Sequence, residues 1–292
     1  HARQCINVLL HWSRGKSAVP RAADRCTGCD HEGVATDRPP ARTGAQSVER
    51  ALAVLRCFES ATGDLGVSEI AGLTGLSVST AHRLTRALCA GGLLAQDDRT
   101  ERYSLGPLLV VLGRRAEQRL GYARALPTLE RLAQDTGESV NLGIRSGADV
   151  LVVLSVASPH PLRFAQASGT RVPLHTSAIG KVLLAFAADP PRELAGLPEL
   201  TAFTDNTITD TRALAAEVEA IRAQGWSVND EERNLGVRAV AAPVLGPAGV
   251  AVAAVAVQGP TVRMTDDRLR GLGPAVEAVT GELAPLLAVT PG

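Results

Sequence analysis

From residue 47 onward, apolar positions recur at helical spacing in short blocks, each closed by glycine. In "QSVERALAVLRCFES", Val48, Leu52, Leu55 and Phe58 fall on one face, with Ser47 placed as an N-cap, which predicts a first core helix. "GVSEIAGLTGLSVSTAHRLTRAL" reads as two short helices broken at Gly75, with Ser68 and Ser77 as their N-caps. Ile70, Leu73 and Leu76 supply apolar contacts, and Ala71 is small where the two helices must approach closely. The period then changes. "LLAQ" and "RYSL" are short strand-like runs around the polar "DDRTE", which predicts a hairpin. Pro107 opens one or two helices that run to Gly137.

Beyond Ser139 apolar strands dominate. "SVNLGIR" and "DVLVVLSV" flank "SGA" as a hairpin, and "SAIGKVLLAFA" predicts a short buried helix. "DTRALAAEVEAIRAQGW" is an amphipathic helix that stops at Gly225. "GVRAVAAPVL", "GPAG" and "VAVAAVAVQG" form a second, strongly apolar hairpin, and a closing helix starts after Thr265 as its cap. Antiparallel strands with interspersed helices make this an α+β chain. Its expected divisions are a mobile tail over 1–45, a small helical and hairpin domain over 46–106, linker helices over 107–137, and an antiparallel-sheet domain over 138–292.

The composition fits a folded chain of two domains: 292 residues, 45% hydrophobic and 21% charged. No uninterrupted apolar run is long enough to span a membrane, and "INVLLHW" is too short for a signal-peptide core. The five cysteines are odd in number and confined to the first third, which does not read as a disulfide framework, so a cytoplasmic location is expected. Cys26 and Cys29 have the spacing of half a zinc site but lack a second pair of ligands. Asp230, Glu231 and His175 are workable ligand types, yet His160 and His175 are the only histidines after Cys89. Neither a metal nor any other cofactor is expected.

Lys16 and Lys181 are the only lysines, so the cationic chemistry is almost wholly arginine, whose planar fork suits phosphate and guanine. On the Ser77–Cys89 helix, Val78, Ala81, Leu84 and Leu88 form an apolar stripe, leaving Ser79, His82, Arg83 and Arg86 on the other side. Short hydroxyls near the N-terminus followed by two arginines suit phosphate contact and base-edge reading in a DNA major groove. A solvated surface helix is the alternative reading. The candidate DNA-binding residues are Arg50, Ser68, Ser77, Ser79, Thr80, His82, Arg83 and Arg86, with Arg99 and Arg102 on the hairpin. Between Gln46 and Gly106 six arginines face seven acids, so binding cannot rest on net charge and calls for a dimer with specific contacts.

"QSVERALAVLRCFE", "VSEIAGLTGLSVSTAHRLTRAL", "GGLL" and "RYSLGPLLVVLG" resemble the winged helix-turn-helix of the IclR family of bacterial transcriptional regulators. "VPLHTSAIGKVLLAF", "GWSVNDEERNLGVRAVAAPVLGPAGVAVAAVAVQGP" and "RMT" are similar to that family's effector-binding domain, which has a GAF- or profilin-like fold. The resemblance implies operator DNA, a small-molecule effector, and a homodimer or dimer of dimers as partners. It places effector contacts at Ala178 and Ile179, with Phe164 and Val172 as walls. An acidic family position falls on Asn229, a frequent cysteine on Ala239, and serine-like strand positions on Ala256 and Gln258. Those departures make the pocket less polar, so a larger, partly apolar carboxylate or aromatic acid is expected in place of glyoxylate.

On the residues alone, His175, Thr176 and Ser177 enter a helix whose N–H groups favour an anion, and Lys181 one turn on could add charge. A plain N-cap with a structural lysine is the other reading. An enzyme is not expected, because neither a nucleophile elbow nor a glycine-rich phosphate loop is present, and cysteine is absent after Cys89. A constitutive DNA-binding or interaction module with a vestigial pocket is the remaining alternative to a ligand-responsive regulator.

Overall fold

The computed structural model describes residues 44–59 and 61–287. The tail expected over 1–45 lies outside the described residues except for Gly44 and Ala45, which open the first helix, and the Cys26–Cys29 pair lies outside them too.

The N-terminal part runs α1 (Gly44–Arg56), a 3-10 turn (Cys57–Glu59), α2 (Val67–Thr74), α3 (Val78–Ala90), β1 (Leu94–Gln96) and β2 (Tyr103–Leu105). β1 and β2 pair antiparallel, with Leu94 opposite Leu105, and Leu65 bridges Tyr103 on the outer side. Val54, Ile70, Ala71, Ala81, Leu88, Leu94 and Tyr103 form its buried core. Gly75 makes the tight turn between α2 and α3. It sits at φ 68°, where a side chain is strained, and its N–H closes on the Ala71 carbonyl.

Several local expectations fail for identifiable reasons. Helix α1 starts at Gly44, so Ser47 lies inside it and caps nothing. Helix α2 starts at Val67. Gly66 therefore takes the N-cap position expected for Ser68, and its N–H donates to Glu69 Oε2 at 2.6 Å. Val48, Leu52, Leu73 and Val78 are 59%, 48%, 66% and 50% exposed, against their expected place in the core. Val54 and Thr85 take the inner positions, and Thr85 satisfies its buried hydroxyl by donating to the His82 carbonyl at 3.0 Å.

Helix α4 (Pro107–Leu120) buries no residue, and after the left-handed Gly121, α5 (Tyr122–Thr136) buries Ala125, Leu129, Leu132 and Ala133. The sheet domain contains β3 (Ser139–Ser146), β4 (Asp149–Val156), β5 (Arg171–Pro173), β6 (Ser227–Asp230), β7 (Val237–Leu245) and β8 (Ala251–Pro260). These form one antiparallel sheet in the order β5-β4-β3-β8-β7-β6. Its helices are α6 (Ala178–Ala185), α7 (Pro190–Ala195), α8 (Thr211–Gln224) and α9 (Asp266–Leu287).

Both faces of the sheet are covered, which explains why β7 and β8 are apolar at nearly every position. Val240, Ala242, Val244, Val255 and Val257 pack with α5 and α9. Ala239, Ala241, Ala254 and Ala256 face α6 and α8. Their small side chains hold α6 close to the sheet and leave space beside its N-terminus.

Candidate functional site

Two regions carry candidate chemistry. On α3, Ser77 is the N-cap: its Oγ accepts from the Thr80 N–H at 3.3 Å and donates to Thr80 Oγ1 at 2.9 Å. Ser79, His82, Arg83 and Arg86 are all exposed. They share the side of α3 opposite Ala81, Thr85 and Leu88, which are buried against α1 and α2. In the hairpin turn, Asp97 Oδ1 accepts the N–H groups of Arg99 and Thr100 at 2.8 and 3.0 Å, and these bonds hold its carboxyl below the usual range. Arg99 is exposed beside it. Arg102, paired with Arg99 in the expected DNA surface, lies partly exposed with its guanidinium engaged by neighbours of the same head. Its Nη2 lies 2.7 Å from Glu69 Oε2 and 2.6 Å from the Asp64 carbonyl. Arg50 is half-buried on α1, and Ser68 is exposed on α2.

The second region is a cavity of about 470 Å³, open mouth included, between the sheet and the N-terminus of α6. All eight residues proposed for effector contact line it: Phe164, Val172, Ala178, Ile179, Asn229, Ala239, Ala256 and Gln258. Strand register brings them together. Asn229, Ala239 and Gln258 stand side by side across β6, β7 and β8, while Val172 on β5 pairs with Val150 on β4. The α6 end is fixed by a 3-10 turn over Leu174–Thr176 and by Ser177, whose Oγ caps the Gly180 N–H at 3.0 Å. Gly180 is required here, since a Cβ would stand 2.1 Å from the Leu174 carbonyl oxygen. Asn229 Nδ2 donates to the Thr176 carbonyl at 2.7 Å and ties the loop to β6.

Lys181 does not serve the cavity. It is 1% exposed, and its ammonium donates to Glu232 Oε1 at 2.6 Å and Glu217 Oε1 at 3.1 Å. Asp230 is held by both arms of Arg238, which depresses its carboxyl. Glu231 accepts the Gly236 N–H, and His175 Nε2 meets the Thr201 carbonyl, so the three candidate metal ligands have separate partners. Among the described residues no group of three or more His, Cys, Asp or Glu is arranged to hold a metal ion. Two buried donors in the cavity wall have no partner among the described residues: Gln258 Nε2 and Arg233 Nη1. A buried donor without an acceptor carries a desolvation cost that an acceptor on a ligand would relieve.

Residues 47–98 match the model of the IclR helix-turn-helix domain, and residues 122–283 match that of the bacterial transcriptional regulator IclR C-terminal domain. The HTH-type transcriptional regulator BhcR of Paracoccus denitrificans is 40% identical over 245 residues, spanning 82% of this chain and 87% of that one. The chain belongs to the IclR family. An IclR transcriptional regulator of known structure from Silicibacter sp. TM1040 superposes with a TM-score of 0.74 at 28% identity, covering 83% of this chain and 96% of the other. An IclR homologue from Microbacterium hydrocarbonoxydans, solved in complex with 4-hydroxybenzoate, shares the fold at a TM-score of 0.71 and 22% identity, covering 82% and 99%. This IclR-family chain is a DNA-binding transcriptional regulator, not an enzyme. Among the described residues no helix is long and apolar enough to cross a membrane.

Thr176 and Ser177 of the helix entry also line the IclR pocket, and sequence reasoning missed Val150, Val152, Gln166, Arg233, Asn234 and Val237. Arg233 is the consequential omission. It lies in "NDEERN", a charge run after a strand, and such runs usually face solvent. Here Thr204 and Thr207 donate to the carbonyls of Glu231 and Glu232 and hold the run against the domain.

Proposed function

We propose that this regulator binds paired operator half-sites as a homodimer, or a dimer of dimers, and that a small, partly apolar carboxylic or aromatic acid in the cavity alters that binding. Residues 46–106 act as the DNA-binding head, 107–137 as the linker and 138–292 as the effector domain. Helix α3 enters the major groove with Ser79, His82, Arg83 and Arg86, and Arg99 reaches the neighbouring backbone. Two-fold symmetry sets the half-sites about one helical turn apart, or a multiple of it.

The observation that carries the effector reading is the cavity itself, walled mainly by valine, alanine, isoleucine and phenylalanine but containing two buried donors without acceptors. That chemistry suits a ligand with an apolar body and acceptor oxygens. The Microbacterium neighbour's complex with an aromatic acid is consistent with it. The dimer reading rests on uncovered apolar side chains: Val48 and Leu52 on α1, and Leu108, Val110, Val111 and Leu112 on α4.

An effector can shift DNA affinity only as far as its own affinity differs between the two arrangements of the heads. Fluorescence anisotropy with the DNA upstream of the regulator's own gene, titrated with and without aromatic and aliphatic acids, tests the reading. An acid that raises the melting temperature and shifts the binding curve is the expected result. DNA affinity unchanged by any acid that binds would mean a constitutive binder, and tight glyoxylate binding would overturn the expected ligand size.

A further inference from the structure

Among the described residues Arg233 is the only charged side chain lining the cavity, and no carboxylate lines it. The nearby cations are already matched: Lys181 with Glu217 and Glu232, and Arg238 with Asp230 and Asp266. Among the described residues the cavity wall itself therefore carries one positive charge and no negative one, and Asp149, outside the lining, is the carboxylate within Coulombic reach of it. Partial burial pulls the Arg233 guanidinium below its ordinary value, and the Asp149 carboxylate opposes this by Coulomb attraction without accepting a hydrogen bond from its buried Nη1.

The backbone around Arg233 is fixed without using its guanidinium. Thr204 Oγ1 donates to the Glu231 carbonyl at 2.7 Å, Thr207 Oγ1 to the Glu232 carbonyl at 2.6 Å, and Asn206 Nδ2 to the Asp230 carbonyl at 3.1 Å. Glu231 holds a left-handed φ of 58° while its Oε2 accepts the Gly236 N–H at 2.5 Å. Phe203, from the same loop as Thr204 and Thr207, lays its ring 5.9 Å from the Arg233 guanidinium carbon. An arginine held this way, with a buried N–H to spare, is organised for an acceptor before the acceptor arrives.

We infer that Arg233 is the charge-recognising residue of the effector pocket and that the effector is a monoanionic carboxylate. Its carboxylate sits on Arg233, an uncharged acceptor group takes the Gln258 amide, and its apolar body lies against Val150, Val152, Val172 and Ile179. This deepens the effector reading above and rests on it. The one cation in the cavity wall pairs with one carboxylate, so a dicarboxylate would carry a second charge into an apolar wall without a partner. The N-terminus of α6 is the competing anchor: Ser177 occupies the Gly180 N–H, and an acid held instead by the N–H groups before it would bind Arg233→Gln as it binds the wild type.

The test uses the full chain and four probe acids, namely benzoate, 4-hydroxybenzoate, phenylacetate and hexanoate, each beside its primary amide, with phthalate and adipate as dianions. Thermal shift and calorimetry are run on the wild type, Arg233→Gln and Arg233→Lys, with circular dichroism confirming that each variant is folded. Arg233 donates no hydrogen bond within the described residues, so both variants should fold. The expected result is that monoacids bind, amides and dianions bind far more weakly, Arg233→Gln loses about tenfold or more in affinity, and Arg233→Lys recovers part of it. Amides binding as well as acids, dianions binding as well as monoacids, or Arg233→Gln binding acids as the wild type does, would each overturn the assignment while leaving an occupied pocket. If no probe acid or amide binds the wild type at millimolar concentration, the effector reading falls and this assignment with it.

Discussion

Lys181 Nζ and Glu232 Oε1 lie 2.6 Å apart with both side chains buried, at 1% and 8% exposure. Burial pushes the Glu232 carboxyl above its ordinary value, against the pull of the ammonium. Removing one member of a buried pair costs about 3–5 kcal/mol. Lys181→Met is therefore expected to lose about that much unfolding free energy near neutral pH, measured by urea denaturation. A carboxyl raised in the folded state contributes stability that is complete below its unfolded value and lost as pH climbs through the folded one. Without Lys181 the folded value rises further. The deficit of the variant relative to wild type should shrink toward pH ~5 and widen toward pH ~8, and a flat deficit would mean that Glu232 carries no charge in the native protein.

Arg83 and Arg102 should separate cleanly. Arg83 stands exposed on the outer side of α3, whereas Arg102 is bound to Glu69 and the Asp64 carbonyl. Arg83→Ala should weaken operator binding by about 1–3 kcal/mol if it reads a base, with little change in melting temperature. Arg102→Ala should do the reverse, loosening the wing against α2 at a cost of about 0–1 kcal/mol for its ion pair. Anisotropy and calorimetry on the same two proteins check both arms. Equal losses of operator affinity would place Arg102 at the DNA.

Gly180→Ala tests the seat of α6. The added Cβ would fall 2.1 Å from the Leu174 carbonyl oxygen, which is backbone and cannot swing aside. The strain should cost about 1–3 kcal/mol or more and shift the 3-10 turn that walls the cavity. Chemical denaturation reads the stability loss. An unchanged midpoint would show that α6 can slide on the sheet.

How much of this was legible in the sequence depends on how local each signal is. Gly75, Gly137 and Gly225 end their helices in left-handed conformations, and such punctuation can be read in place. Seven of the eight expected pocket residues lie in recognisable motifs, and Phe164 lies between them. The rotation of α6 could not be read, because all eight of its residues are buried and no polar face marks the outside, so the sequence left Lys181 open between an anion site and the structural role it has. Val150 and Arg233 join the pocket only through sheet register and the 203–207 loop, which no short window of sequence contains.

Val48 and Leu52 show a different limit: helical period identifies a face that will be covered but not what covers it. In the single chain these two residues remain exposed, as do Val110, Val111 and Leu112 on a helix that buries nothing of its own. Exposed apolar groups of this size are costly in water, at about 25 cal/mol for each Å² left unburied, which favours association through these helices. The head cannot compensate by charge, with six arginines against seven acids between Gln46 and Gly106. Val111→Asp combined with Leu112→Asp is therefore expected to shift the protein toward monomer in sedimentation velocity. Operator affinity should fall with it, because the gain from two linked half-site contacts is lost. A double variant that remains a dimer and holds the operator as wild type does would place the self-association surface elsewhere, and α4 would then need another partner for its apolar side chains.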